Sequence, residues 1–153
     1  MKRETVVVGL GNPLMSDEGV GVRVIERLSA FAERYPCVDF VDAGTGGIAL
    51  LHVLEGRGKA VIIDCALMGI EPGGIRRFTP EQARSVKRPA HESLHEADIL
   101  KIIDLSRELD QCPGEIVIFG IEPRSVCHGQ ELSRELAEKV DDYIDSICAE
   151  LDG

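Results

Sequence analysis

An α/β fold is predicted for this sequence: a three-layer α/β/α sandwich built on a mostly parallel open sheet. Three observations predict it. Apolar runs at Val6-Val7-Val8, Val61-Ile62-Ile63 and Ile116-Val117-Ile118 lack the polar alternation of half-exposed strands, so they read as strands covered on both faces. Helical periodicity lies between the strands, and that alternation requires crossover connections and parallel pairing. Glycine-rich loops follow the first two strands, at Gly9-Leu10-Gly11 and Gly44-Thr45-Gly46-Gly47. In open α/β sheets ligands bind beyond the carboxyl ends of the strands.

The elements follow in order. Val20, Val24, Leu28 and Phe31 share one helical face and predict a helix over about residues 19–34, stopped by Pro36. Residues 38–42 form a second strand, and Ile48, Leu51 and Leu54 a short helix ending at Gly56. Residues 60–64 form the third strand, closed by the carboxylate of Asp64. Pro72-Gly73-Gly74 makes a turn into an edge strand, Ile75-Arg76-Arg77-Phe78, with its charges toward solvent. Residues 80–95 are polar, contain Pro80 and Pro89, and read as a mobile loop with one helical turn. Ile99, Leu100, Ile102, Ile103 and Leu109 mark the next helix, and residues 115–121 the last buried strand. Leu132, Leu136, Val140, Ile144, Ile147 and Leu151 predict one long closing helix. No repeat, low-complexity tract or linker interrupts the pattern, so residues 1–153 are expected to form a single domain.

Composition narrows the function classes. Aromatic residues make up 4% of the chain and Trp is absent, which disfavours base-stacking platforms. A formal net charge of −10 disfavours nucleic acid and anionic membrane as partners. The five cysteines (37, 65, 112, 127 and 148) show no CxxC spacing. They are expected to be buried thiols in a reducing compartment. The apolar run after Met1-Lys2-Arg3 is too short for a signal peptide and no stretch reaches membrane-spanning length. A cytoplasmic protein is expected.

The first loop is not a dinucleotide site. Leu14 stands where the fingerprint needs a third glycine, and Pro13 removes a backbone donor. Asp17 and Glu18 place two carboxylates where phosphates would lie, each repelling an anion by about 1 kcal/mol even in water. The loop suits a cation, or something that carries one. Glu18, Asp42 and Asp64 all fall at or just beyond predicted strand ends, which share one edge if the strands are parallel. Each has an ordinary alternative as a cap or turn former. Grouped together, they repel one another unless a cation sits among them.

An imidazole would extend such a site. His91 and His95 lie in the loop that could reach the sheet edge, His52 is expected near the interior of its helix, and His128 follows Cys127. Two carboxylates and one imidazole suit a borderline divalent transition metal and leave positions open for another molecule. The competing reading is a Ser-His-Asp site with Ser16 or Thr45 as nucleophile, but neither sits in a Gly-x-Ser-x-Gly elbow.

From Gly9 to Gly21 the chain matches, without a gap, the pattern Gly-x-Gly-Asn-x-Leu-x-x-Asp-Glu/Asp-Gly-x-Gly. Asp42-Ala43-Gly44-Thr45, the strand ending Ile63-Asp64-Cys65, the Pro72-Gly73 turn and Phe119-Gly120-Ile121-Glu122-Pro123 follow in the same order. In this ordered set the sequence resembles the [NiFe]-hydrogenase maturation endopeptidases. The resemblance implies a phosphorylase/hydrolase-like fold and removal of a C-terminal extension from the hydrogenase large-subunit precursor after nickel insertion. It also implies recognition of that nickel, supplied by the precursor, through Glu18, Asp64 and a histidine. His95 is preferred because Ser93-Leu94-His95 matches the family's Ser-x-His, with His91 as the alternative. Asp42, Gly44, Thr45 and Gly46 are then expected to meet the substrate backbone. No organic cofactor is implied, the attacking group is not identified, and a monomer is expected. The alternatives are a non-catalytic nickel-sensing chaperone and a peptidyl-tRNA hydrolase-like enzyme suggested by Gly9-Leu10-Gly11-Asn12-Pro13. The latter lacks its following glycine and its His-Asn pair here.

Overall fold

The computed structural model describes residues 2–85 and 96–153. Five strands form one sheet: β1 (Thr5–Gly9), β2 (Val38–Asp42), β3 (Lys59–Cys65), β4 (Ile75–Phe78) and β5 (Glu115–Ile121), in the order β2-β1-β3-β5-β4. All neighbours pair in parallel except β4, which runs antiparallel on the edge beside β5. The exposed Arg76 and Arg77 guard that edge, as its sequence suggests. Because β1 sends the chain first to β2 and then to β3 on its other side, the direction of winding reverses between β1 and β3. That reversal opens a crevice at the carboxyl edge.

The strands sort their side chains by alternation. Val7, Val61, Ile63, Val117 and Phe119 face one layer, with α1 (Val20–Leu28), α5 (Arg134–Ala137) and α6 (Val140–Asp152). Val6, Val8, Ala60, Ile62 and Ile118 face the other, with α2 (Ile48–Leu54) and α4 (Glu96–Glu108). Each fully buried Val, Leu or Ile contributes about 1.5–3 kcal/mol, so the two layers together drive collapse. A sixth helix, α3 (Pro80–Ser85), follows β4.

Four details differ from the expected pattern. The helix over 19–34 is α-helical only to Leu28, and Ser29–Arg34 tightens to 3₁₀ geometry. With three residues per turn the apolar face rotates away, and Phe31 is left exposed. The closing helix is two helices, because the chain turns at Glu138-Lys139 and Leu132 precedes both. Leu109 lies past the end of α4 and is exposed. Only Cys65 among the cysteines is buried, and Cys37 and Cys127 are exposed. Among the described residues no helix is long and apolar enough to cross a membrane.

Candidate functional site

The loop after β1 is shaped by close backbone approach. Leu10 N donates to Ile63 O (2.9 Å) and Gly11 N to Gly44 O (2.7 Å), which ties the loop to the ends of β3 and β2. It then turns at Asn12, whose Oδ1 accepts from Leu14 N at 2.9 Å. A 3₁₀ turn, Ser16–Gly19, carries the chain back beneath itself into α1. Gly11, at φ +132°, lies so close to Glu18 O that no side chain fits. At Gly21 a Cβ would overlap Ile63 O and Leu10 O, so α1 docks directly on the sheet edge. These glycines serve packing, and the cradle they make holds acidic side chains rather than phosphate.

Asp17 and Glu18 are both buried, at 0% and 7% exposure. Asp17 Oδ2 accepts hydrogen bonds from Arg124 N (2.9 Å), Ser125 N (2.9 Å) and Ser133 Oγ (2.7 Å), and its Oδ1 accepts one from Ser133 N (2.7 Å). Asp64, at the end of β3, is 2% exposed. It borders an apolar cleft lined by Phe78, Ala83, Ile99, Leu100 and Ile118, so it sits on the α4 side of the sheet. The turn carrying Glu18 packs against β3. The Cys65 thiol registers the grouping: burial pushes its pKa up first, and the negative charges of Asp64, Asp17, Glu18 and Glu122 raise it further. All four carboxylates thus raise the pKa of a thiol at the carboxyl end of β3. Among the described residues no three His, Cys, Asp or Glu side chains are grouped to hold a metal by themselves.

The other expected site residues are placed differently. Asp42 is exposed, and its Oδ1 accepts from Gly44 N at 2.8 Å, closing its own loop as an Asx turn. Gly44 and Gly46 adopt positive φ (57° and 92°), and Thr45 between them is exposed. His52 is exposed rather than interior, on the outer side of α2. His128 is exposed beside Cys127, whose Sγ lies 3.4 Å from Ser125 Oγ and 3.7 Å from Ser16 Oγ. Those hydroxyls, Ser125 first, hold the Cys127 pKa below its ordinary value. His91 and His95 lie outside the described residues.

Two buried acids in the neighbourhood were not singled out from the sequence as site residues in their own right. Glu122 anchors the segment after β3 by accepting from Met68 N (2.7 Å) and Ile70 N (3.2 Å) through Oε1. Asp17 stands beside Glu18 in the motif, but its partners lie 107 to 116 positions away, beyond any local pattern.

A family model described as HycI, hydrogenase maturation protease, matches residues 22–150. The chain belongs to the hydrogenase maturation protease family. The matched span lies wholly outside the Gly9–Pro13 string that suggested a peptidyl-tRNA hydrolase. Among curated relatives of this maturation protease, the hydrogenase expression/formation protein HoxM of Cupriavidus necator is 31% identical over 92% of this chain and 70% of its own. The [NiFe] hydrogenase maturation protease HybD of Thermococcus kodakarensis superposes with a TM-score of 0.74 at 27% identity, covering 99% of both chains. The hydrogenase maturating endopeptidase HybD of Escherichia coli has the same fold, with a TM-score of 0.80 at 23% identity over 99% of this chain and 92% of that one. The maturation protease described here is a peptidase of that family, with the three-layer α/β/α architecture expected from its sequence.

Proposed function

We propose that the protein removes the C-terminal extension of a [NiFe]-hydrogenase large-subunit precursor, and that it docks on the nickel already inserted there. The observation that supports this reading is that Glu18, on the turn after β1, and Asp64, at the end of β3, are both buried and that the charges of both raise the Cys65 pKa. Grouped, buried carboxylates repel, and an arriving divalent cation relieves that repulsion. His95, preferred because Ser93-Leu94-His95 matches the family's Ser-x-His, is the imidazole assigned to the third position. Oxygen and imidazole donors suit a borderline metal such as nickel.

Nickel is thus part of the substrate. Its free positions accept Glu18, Asp64 and His95, which makes cleavage conditional on metal insertion. A divalent ion beside the scissile bond polarises its carbonyl or activates a water. The loop of Asp42, Gly44, Thr45 and Gly46 lies next to this edge through the Gly11–Gly44 hydrogen bond, and its glycines admit a peptide backbone at close range. The protein acts as a cytoplasmic monomer in this reading.

Mass spectrometry of the precursor after incubation with purified protein tests it. A nickel-loaded precursor is expected to lose its extension and a nickel-free one to stay intact. A stable complex with no change in mass would instead support a nickel-sensing chaperone, and equal cleavage of both forms would refute docking on nickel.

A further inference from the structure

We infer that Asp17 is a positioning residue, which holds the turn bearing Glu18 in register by clamping it to the segment that leaves β5. The inference rests on the reading of Glu18 given above and adds a residue that touches neither substrate nor metal. Asp17 is fully buried, and its carboxylate collects four hydrogen bonds from the far side of the molecule. Three come from backbone N–H groups, two at the exit of β5 and one at Ser133, which immediately precedes α5. The fourth is the Ser133 hydroxyl. A buried anion with this many donors is well satisfied, and removing it strands backbone N–H groups that water cannot reach.

The same two segments are laced by their backbones. Ser16 N donates to Gly129 O (2.8 Å), Gly129 N to Leu14 O (2.9 Å) and Asp17 N to Ser125 O (3.2 Å). Residues 14–17 and 124–133 thus form one unit with the carboxylate at its centre. The turn that Asp17 anchors is the one that carries Glu18. Glu18 occupies a single 3₁₀ turn, Ser16–Gly19, which the preceding residue, Met15, does not cap through its side chain. A lone 3₁₀ turn has poor hydrogen-bond geometry and little stability of its own. With Asp17 fixed on one side of this turn, the next side chain is set at the sheet edge. An Asn here presents one acceptor and one donor in place of two acceptors, so either the Ser133 N–H or the Arg124/Ser125 pair loses its partner.

Steady-state processing of nickel-loaded precursor by the full-length protein tests this, with KM and kcat measured separately. Asp17→Asn is expected to raise KM about tenfold or more, the scale seen when a residue orienting a metal-binding group is lost. Because a mispositioned docking group weakens substrate binding, kcat should fall less than KM rises. A merely structural role would shrink the active fraction, which lowers apparent kcat and leaves KM unchanged; that result overturns the inference. Glu18→Gln runs in parallel. If it leaves kcat/KM at the wild-type value, the reading of Glu18 itself has failed. If it loses activity while Asp17→Asn keeps the wild-type KM, only the positioning role is refuted. Should Asp17→Asn not fold, Ser133→Ala, which deletes one of the four bonds, is expected to raise KM by a smaller factor, and an unchanged KM overturns the inference.

Discussion

Glu18→Gln, and separately Asp64→Asn, are expected to slow processing of a nickel-loaded precursor by about 100-fold or more, equivalent to about 2.7 kcal/mol. Each replacement keeps the side chain's shape and removes the charge proposed to meet the nickel. Both carboxylates are buried among other acids whose charges reach Cys65. Loss of one negative charge therefore relieves repulsion in the apo protein while it weakens the interaction with the cation. Stability and activity should accordingly separate: the unfolding free energy is expected to stay within about 1 kcal/mol of wild type. Denaturant titration and timed mass spectrometry of the same preparations measure the two quantities. Activity within threefold of wild type would remove both residues from the docking site.

A large effect on stability is expected at Gly21. A methyl group there would penetrate Ile63 O and Leu10 O and lie 3.0 Å from Leu10 N, and all three are backbone atoms of the sheet edge and its loop. Backbone cannot swing aside as a flexible side chain does, so α1 must lift from the sheet. It would take with it the packing of Val20, Val24, Ile25 and Leu28. Overpacking of this kind costs about 3 kcal/mol or more, visible as a lower urea midpoint for Gly21→Ala. Gly44→Ala is the control. It meets nothing within 4 Å and suffers only from its φ of +57°, a cost of about 1 kcal/mol. Equal losses at the two positions would show that close approach of α1 is not what the motif's glycine provides.

Strands and layers were legible where burial on both faces leaves an uninterrupted apolar run: β5 spans Glu115–Ile121, the limits its sequence suggests. Helix breaks were hidden for a physical reason. Leu136 in α5 and Val140, Ile144 and Ile147 in α6 all join one core cluster, so their spacing persists across the turn at Glu138-Lys139. Phe31 fits an α-helical face, but the chain has already tightened to a three-residue period there. His52 shows the same limit, since a position on a short helix does not say which side the sheet occupies.

Parallel pairing sets the carboxyl ends of β1, β2, β3 and β5 at one edge, which places Asp64 there, whereas Glu18 reaches its position through the turn after β1. What sequence could not supply was the division of labour between neighbours. Asp17 and Glu18 are both acidic and both buried, yet four donors from residues 124–133 engage Asp17. Likewise Asp42 looked equivalent to Asp64, but its carboxylate closes a turn at the surface. Long-range hydrogen bonds decide these roles, and no local spacing encodes them.

X-ray absorption at the nickel edge tests the docking model most directly, on a cleavage-resistant, nickel-loaded precursor measured alone and in complex with the protein. New oxygen and imidazole ligands are predicted in the nickel shell of the complex, with one oxygen lost when Glu18→Gln is used. A nickel environment unchanged on binding would contradict the account.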